Sequence, residues 1–538
     1  MPRVAAIFSA RGPGHRGLTR LTASTSIGSS LATRPAGHRN HVIPNQAAIR
    51  PSLAMQRVMN LFLTVTLLAS SSFPRADAGI TLPDMGESSD RLLSSYEEQR
   101  LGQEFMRSVR HQATLVDDPF VEEYVQSLGY RLVAAADTRR LFNFFVVDKR
   151  TINAFAGPGG YIGVHAGLLL AAENESEVAA VLAHEIAHVT QRHLLRTFDQ
   201  AQRMTLPAAA ALIAALILAS SSGQGGQAAI AATLASTEQN LINFTRQNEK
   251  EADRVGMQIL AGADFDPRSM PAFFEKLSRQ DRFAGSGTPE MLRTHPVTTS
   301  RISDTRNRAE QYAPLHTRPG NSSFLLIQAR LRVRAAADPA TAVKYFADAL
   351  EKAYNGEQYH AARYGYALAL SAAGHPRQAR RQIQSLLRDA PDNIHFIAAR
   401  AEIETQAGHL SQALQYYAKA MKLFPRNFPL TVAYAKALIS ADQAVDARRL
   451  LQDFLRYREP KPLLYKLLAQ ADREAGQAGD SYQALAEHAY LNGSTMMAIS
   501  YLKQALELTD PTDFYRRSRI QARLGELKQE AALEMESK

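Results

Sequence analysis

Apolar positions recur at a helical interval over most of the chain, and in one region they run in the short continuous blocks typical of strands. Residues 79 to about 115 are polar, with LPDMGESSD as a loop leading into a helix around SSYEEQRLGQEFM. From about 116 to 310, strand-like runs mix with strong helical patterns. FNFFVV at 142–147 reads as a strand, and the runs at 152–155 and 161–165 flank Gly157, Pro158, Gly159 and Gly160, which is a hairpin signal. A helix follows, with Asn174 and Glu177 as its capping pair and Val178, Leu182, Ile186 and Val189 as its apolar stripe. From about 320 onward nearly everything is helical.

That last region repeats. Gly374, Gly408, Asp442 and Gly476 recur every 34 residues, and Ala379, Ala413 and Ala447 follow the first three of them by five. Pro391 and Pro425 keep the same period, Pro460 comes one place late, and Gly493 with Ala498 repeats the offset out of register. A 34-residue helix–turn–helix period resembles tetratricopeptide repeats, where small residues let paired helices pack closely. A further apolar run, Leu206 to Ala219, leads into SSSGQGGQ and AAIAATLAS. At about 14 residues it is too short to span a bilayer. It reads as a buried or capping helical hairpin over 206–235, or as one that leans on a membrane or shields a site.

Composition narrows the function classes. The 538 residues include no Cys, which excludes disulfides, thiol nucleophiles and Cys-ligated metal sites. The length implies two or more domains. The net charge of +10 invites a nucleic-acid or membrane partner, yet residues 1–78 hold nine Arg against Asp77 alone, leaving +2 for the remainder. A nucleic-acid footprint on the folded part is therefore not expected. Residues 55–78 read as a secretory signal: Arg57, then the apolar LFLTVTLLA, then Ala76-Asp77-Ala78, with a mature start at Gly79. Residues 1–54 read as an over-extended start, or alternatively as an Arg- and Ser-rich mitochondrial transit peptide.

The chemistry lies in His184-Glu185-Ile186-Ala187-His188. Two imidazoles one helical turn apart can hold one zinc, and Glu185 beside them can reach a water on it. Zinc lowers the pKa of such a water from about 15.7 to about 7, and Glu185 would carry its proton to the leaving amine. Gln191 and Leu194 stand where a metzincin has Gly and His, so the third ligand must come from elsewhere. His193 falls off the ligand face and is expected at the surface. In RQNEKEADRVG, Glu249 and Asp253 share a helical face and Ala252 leaves room for close packing, while Glu251 faces away from Glu249. Glu249 can complete a His₂Glu site with an open position, with Asp253 supporting a ligand histidine or proton transfer. His295 in LRTHPVTTSR reads equally as an ordinary loop histidine before Pro296 and as part of the site.

HEIAH followed by NEKEAD, with INAFAGPGGYIGVHAGLL before it, resembles the M48 family of gluzincin metallopeptidases. LPDMGESSD, SSYEEQRLG, LRTHPVTTSRI and the repeats narrow the likeness to its periplasmic, repeat-bearing bacterial members. The resemblance implies one Zn²⁺ per subunit on His184, His188 and Glu249, with Glu185 as base and Asp253 as a supporting acid. It also implies that substrate backbone pairs with an edge strand around Asn153, Ala154, Phe155 and Ala156, and that His295 is a switch able to occupy the open zinc position. Partners implied are outer-membrane β-barrel proteins and the barrel-assembly machinery, engaged through the repeats, with chaperone-like help in assembly. Peripheral membrane contact through 206–235 is a further possibility.

The expected architecture is α+β, mostly α: a gluzincin-type metalloprotease domain with a small sheet, followed by an α-helical tetratricopeptide-repeat array. Its expected segments are a presequence at 1–78, a metallopeptidase domain at 79–315 and a repeat domain at 320–538. Two alternatives stay open, a gated or proteolytically silent repeat scaffold and a mitochondrial M48 protease.

Overall fold

The computed structural model describes residues 94–198, 210, 213, 238–283, 289–312, 322–353 and 355–536. The presequence expected at 1–78 lies outside them, and so does most of the 206–235 hairpin.

Helix α1 (Ser95–Gln112) starts at a capping box: Ser94 Oγ accepts from Glu97 N, and the Glu97 carboxylate accepts from Ser94 N at 2.9 Å. Its buried stripe is Leu101, Phe105, Met106 and Val109. Helix α2 (Pro119–Val133) begins under the Asp118 cap with Pro at its first position. Three strands follow, β1 (Asn143–Val147), β2 (Ala154–Ala156) and β3 (Tyr161–His165), in the order β1-β3-β2. The hairpin read from the glycine-rich turn is present: β2 and β3 pair antiparallel, with Phe155 opposite Gly163. β1 lies parallel to β3 on its other side.

The alternation of strand residues gives the sheet two buried faces. Phe144, Val146, Ala154, Ile162 and Val164 join the main core with α2, and Phe145, Val147 and Phe155 pack with the α1 stripe. Ala210 and Ile213, the two described residues of the apolar hairpin, belong to that second cluster. At the sheet's β1 side, Leu115 bridges Val147. Among the described residues no strand pairs with the β2 side.

Short α3 (Ala166–Ala171) leads to α4 (Glu175–Thr190), capped by Asn174 Oδ1 accepting from Glu177 N at 3.0 Å. The apolar stripe read from the sequence is buried, but so is nearly every other residue of α4, because helices and sheet surround it. Then come α5 (His193–Phe198), α6 (Glu238–Gly262), α7 (Ser269–Phe283), α8 (Glu290–Thr294) and α9 (Thr299–Ala309).

From α10 (Ser322–Ala335) to residue 536 the chain is an antiparallel helical array. Its period has a conformational cause. Gly374, Gly408, Asp442 and Gly476 all have φ between 57° and 78°, and each ends a helix in a left-handed turn. After each, the next N–H bonds back to a carbonyl of the last turn, as from His409 N to Glu404 O at 2.9 Å and Gln443 N to Leu438 O at 2.9 Å. Ala379, Ala413 and Ala447 are fully buried between helices.

The array packs against the strand-bearing part. Gln328 of α10 donates to Leu169 O and Ala172 O at the end of α3, at 2.8 and 2.7 Å. Arg330 pairs with Asp118 at 2.9 Å and with Glu402 at 3.2 Å. At the far end of the array, Arg107 of α1 donates to Tyr490 O at 3.1 Å and meets Thr495 and Glu530. No helix among the described residues is long and apolar enough to cross a membrane.

Candidate metal centre

His184 and His188 stand one turn apart on α4 with their Nε2 atoms 3.0 Å from each other. Helix α6 crosses α4 at close range because it presents small residues there. Ala252 is fully buried, and a Cβ on Gly256 would stand 3.0 Å from His184 N. This crossing puts Glu249 carboxylate oxygens 3.4 Å from His184 Nε2 and 3.5 Å from His188 Nε2. His295, at the end of α8, brings Nδ1 to 2.9 Å from Glu249 Oε1 and 3.4 Å from His184 Nε2. The four ligand atoms lie within 4.8 Å of one another.

The donor set fits a divalent cation on three counts. Tetrahedral coordination with bonds of 2.0–2.1 Å separates ligand atoms by about 3.3 Å, and the spacings here cluster around that value. The charge also calls for a cation. Glu185, Glu249 and Asp253 bring three formal negative charges into a buried site, offset here by Arg301 and by the protons that His184 and His295 hold with raised affinity, which a cation can replace. Finally, both carboxylate oxygens of the fully buried Glu185 lack a hydrogen-bond partner among the described residues, which is costly unless something polar stands beside them.

The histidines differ in proton affinity. Burial disfavours the charged form of His184, but Asp253 and Glu249 outweigh it and push its pKa up to about 10. His188 is held well below the usual histidine range, first by burial and then by the neighbouring histidines against the pull of Glu249. Glu249 stays well below the usual carboxylate range: burial opposes ionisation, but His295, His184 and His188 favour it. One proton at His184 thus sits among converging lone pairs, where a metal ion can replace it.

Asp253 lies one turn beyond Glu249, with Oδ1 3.0 Å from His184 Nδ1, the nitrogen turned away from the cluster. Arg301 of α9 grips Asp253 through Nε and Nη2, both at 2.7 Å, and reaches Glu249 Oε2 through Nη1 at 2.9 Å. Sequence reasoning missed Arg301. It stands six residues after His295 in LRTHPVTTSR, but nothing local says which of the chain's many arginines will be buried between two acids.

His193 requires a correction. Expected at the surface, it is 3% exposed, with Nδ1 3.0 Å from His188 Nδ1. The continuous-helix projection failed because α4 ends at Thr190 and Arg192 takes φ of 55°, which swings His193 back toward the site. Glu251 faces away from Glu249 as read, and meets His193 Nε2 at 3.2 Å.

Among the described residues, β2 pairs with β3 and with no other strand. His165 N bonds to Asn153 O at 2.9 Å and Gly157 N to Tyr161 O at 2.7 Å, so the main-chain groups of alternate residues Ala154 and Ala156 point outward. Ile152 O, on that outer side, accepts from Met291 N at 3.3 Å. The buried Asn153 side chain donates to Glu290 at 3.1 Å, and Phe155 is core. Asn153 and Phe155 therefore hold the strand in place, while Ala154 and Ala156 offer its edge.

Comparison with known proteins follows the same lines. The profile of Peptidase family M48 matches residues 119–309, and a tetratricopeptide-repeat profile matches residues 404–471. The chain is 35% identical to the beta-barrel assembly-enhancing protease of Escherichia coli over 481 residues, covering 88% of this chain and 98% of that protein. A Vibrio cholerae relative given that name provisionally is 38% identical, over 83% of this chain and 92% of its own length. The mitochondrial metalloendopeptidase OMA1 of Schizosaccharomyces pombe is 30% identical over 43% of this chain and 58% of its own.

Proposed function

The chain belongs to peptidase family M48, a metalloendopeptidase with tetratricopeptide repeats, and from that premise we propose a periplasmic enzyme that cleaves misassembled outer-membrane β-barrel proteins and aids their assembly. His184, His188 and Glu249 hold one Zn²⁺ per subunit in this reading. The observation that carries it is the convergence of those three side chains beside the buried carboxylate of Glu185, whose oxygens have no hydrogen-bond partner among the described residues.

When bound, the ion would acidify water and polarise the scissile carbonyl. Glu185 takes the proton of the attacking water and delivers it to the leaving amine. Asp253, clamped by Arg301, holds the His184 ring through Nδ1. The outward main-chain groups of Ala154 and Ala156 bind an extended substrate as an added strand, which reads backbone rather than side chains and suits a protease of varied misfolded chains. Export from a signal at 55–78 and cleavage before Gly79 complete the reading, and the beta-barrel assembly-enhancing name of the relatives supports the substrate class. The repeat array supplies a surface for protein partners.

His295 in the fourth corner of the cluster supports a gated resting state, with Nε2 3.6 Å from Glu185 Oε1. The test is casein or autolytic cleavage by the full chain beside Glu185→Gln. A loss of about 10²–10⁴-fold in the variant, and of all activity with chelator, is expected. Equal, chelator-insensitive cleavage by both would sink the reading. Metal analysis tests the third ligand: Glu249→Gln should lose most of the bound Zn²⁺ that the parent retains.

A further inference from the structure

Each ligand histidine must present a bare Nε2 to a metal ion, and this requires its Nδ1 to carry a proton and an acceptor to hold that proton. For His184 the oxygen facing Nδ1 is Asp253 Oδ1, at 3.0 Å. For His188 the atom opposite Nδ1 is not a carboxylate but another imidazole nitrogen, His193 Nδ1 at 3.0 Å. Two Nδ1 atoms at that distance need one proton between them.

The direction of that bond is fixed from its other end. His193 Nε2 lies 3.2 Å from Glu251 Oε2, and an ionised carboxylate only accepts, so Nε2 of His193 carries its proton. In the neutral ring, Nδ1 of His193 is then a lone pair, and it accepts from His188 Nδ1–H. His188 Nε2 is left bare, facing His184 Nε2 at 3.0 Å and Glu249 at 3.5 Å. We propose that Glu251 and His193 form a relay that fixes the tautomer and ring orientation of His188, making His193 a positioning residue for the metal ligand. The two ligand histidines thereby have separate supports on the same helix α6. Asp253 acts directly, and Glu251, two residues earlier and on another face, acts through an inserted imidazole.

The placement is specific. The left-handed Arg192 ends α4 so that His193, five residues after its target, turns back onto it. Burial excludes water from competing for the His188 N–H, since His193 is 3% exposed. Arg196 stands 3.6 Å from Glu251 Oε2, at the partly exposed end of the relay.

This inference rests on the ligand set proposed above, and the experiment separates the two. The full chain is titrated with Zn²⁺ against a chromophoric chelator, and the Co²⁺-loaded form is followed by its visible spectrum. No Zn²⁺ binding by the parent would overturn the ligand set itself. With the parent binding, His193→Leu removes the acceptor and should weaken Zn²⁺ binding about 10–100-fold, with an altered Co²⁺ spectrum. His193→Gln keeps an acceptor oxygen for His188 and should recover affinity to within a few-fold of the parent. Glu251→Ala, at the exposed end, leaves the core packing intact and should cost several-fold. Parent-like affinity in both His193→Leu and Glu251→Ala, or a His193→Gln as weak as His193→Leu, overturns the relay.

Discussion

Arg301 lies 2.7 Å from both Asp253 oxygens and 2.9 Å from Glu249, so one buried guanidinium sets the charge and the angle of two acids at once. Its planar fork suits this task as a lysine would not. The consequence at this scale concerns His295, whose Nδ1 stands among the ligand atoms while its Nε2 faces Glu185. On the gated reading proposed above, a side chain in that corner would compete with substrate for it, so His295→Ala should raise casein cleavage. A gate closed in nine molecules of ten predicts about a tenfold rise. Unchanged activity would assign His295 to the loop alone.

Among elements, the decisive contact is the crossing of α4 and α6. The three proposed ligands His184, His188 and Glu249 reside on these two helices, and their convergence requires a close approach that the small residues Ala252 and Gly256 permit. Gly256 lies close against the backbone of Ala183 and His184, with three main-chain atoms at 3.0–3.1 Å from a notional Cβ. Backbone cannot swing aside as a side chain can. Gly256→Ala should therefore push the helices apart, costing about 1–3 kcal/mol in urea unfolding and weakening Zn²⁺ retention in parallel. A variant that unfolds at the parent's midpoint and keeps its metal would show that the crossing tolerates a methyl group. Helix α8 matters beyond its five residues because Met291 N and Glu290 tie it to Ile152 and Asn153, joining the His295 segment to β2.

For the molecule as a whole, the repeats and the catalytic part share one core, in which Phe120, Tyr124 and Leu128 of α2 cluster with Phe324, Ala398 and Leu430 of the array. His395 sits in that junction, its ring 5.1 Å from Phe120 and 6.3 Å from Tyr364. Burial, reinforced by Arg330 and opposed by Asp118, lowers its pKa to about 4. Glu402 and the Tyr364 hydroxyl are bound to that same Arg330. Between about pH 6.5 and 4 the unfolded chain holds a proton here that the folded chain refuses, so stability falls as pH falls through this window. The shift corresponds to about 3 kcal/mol when complete. Melting temperatures at pH 7 and pH 4.5 should fall further for the parent than for His395→Phe. Parallel losses in the two proteins would place the acid sensitivity elsewhere.

What the sequence by itself determined is whatever depends on near neighbours along the chain. Helical spacing places His184, Glu185 and His188 within one turn, and Glu249 and Asp253 one turn apart. The hairpin follows from its glycine turn, and the 34-residue period shows in the left-handed residue at every second helix end between 374 and 476. Asp442 kept that period without glycine because an acid also tolerates positive φ. The tertiary structure decided the rest. The sheet order β1-β3-β2, the burial of Arg301 between two acids and the turn that carries His193 back onto His188 depend on partners tens of residues away or on a single backbone torsion. Periodicity shows which face of a helix a residue occupies. It does not show what packs against that face, as His193 does against His188 and Asp253 against His184.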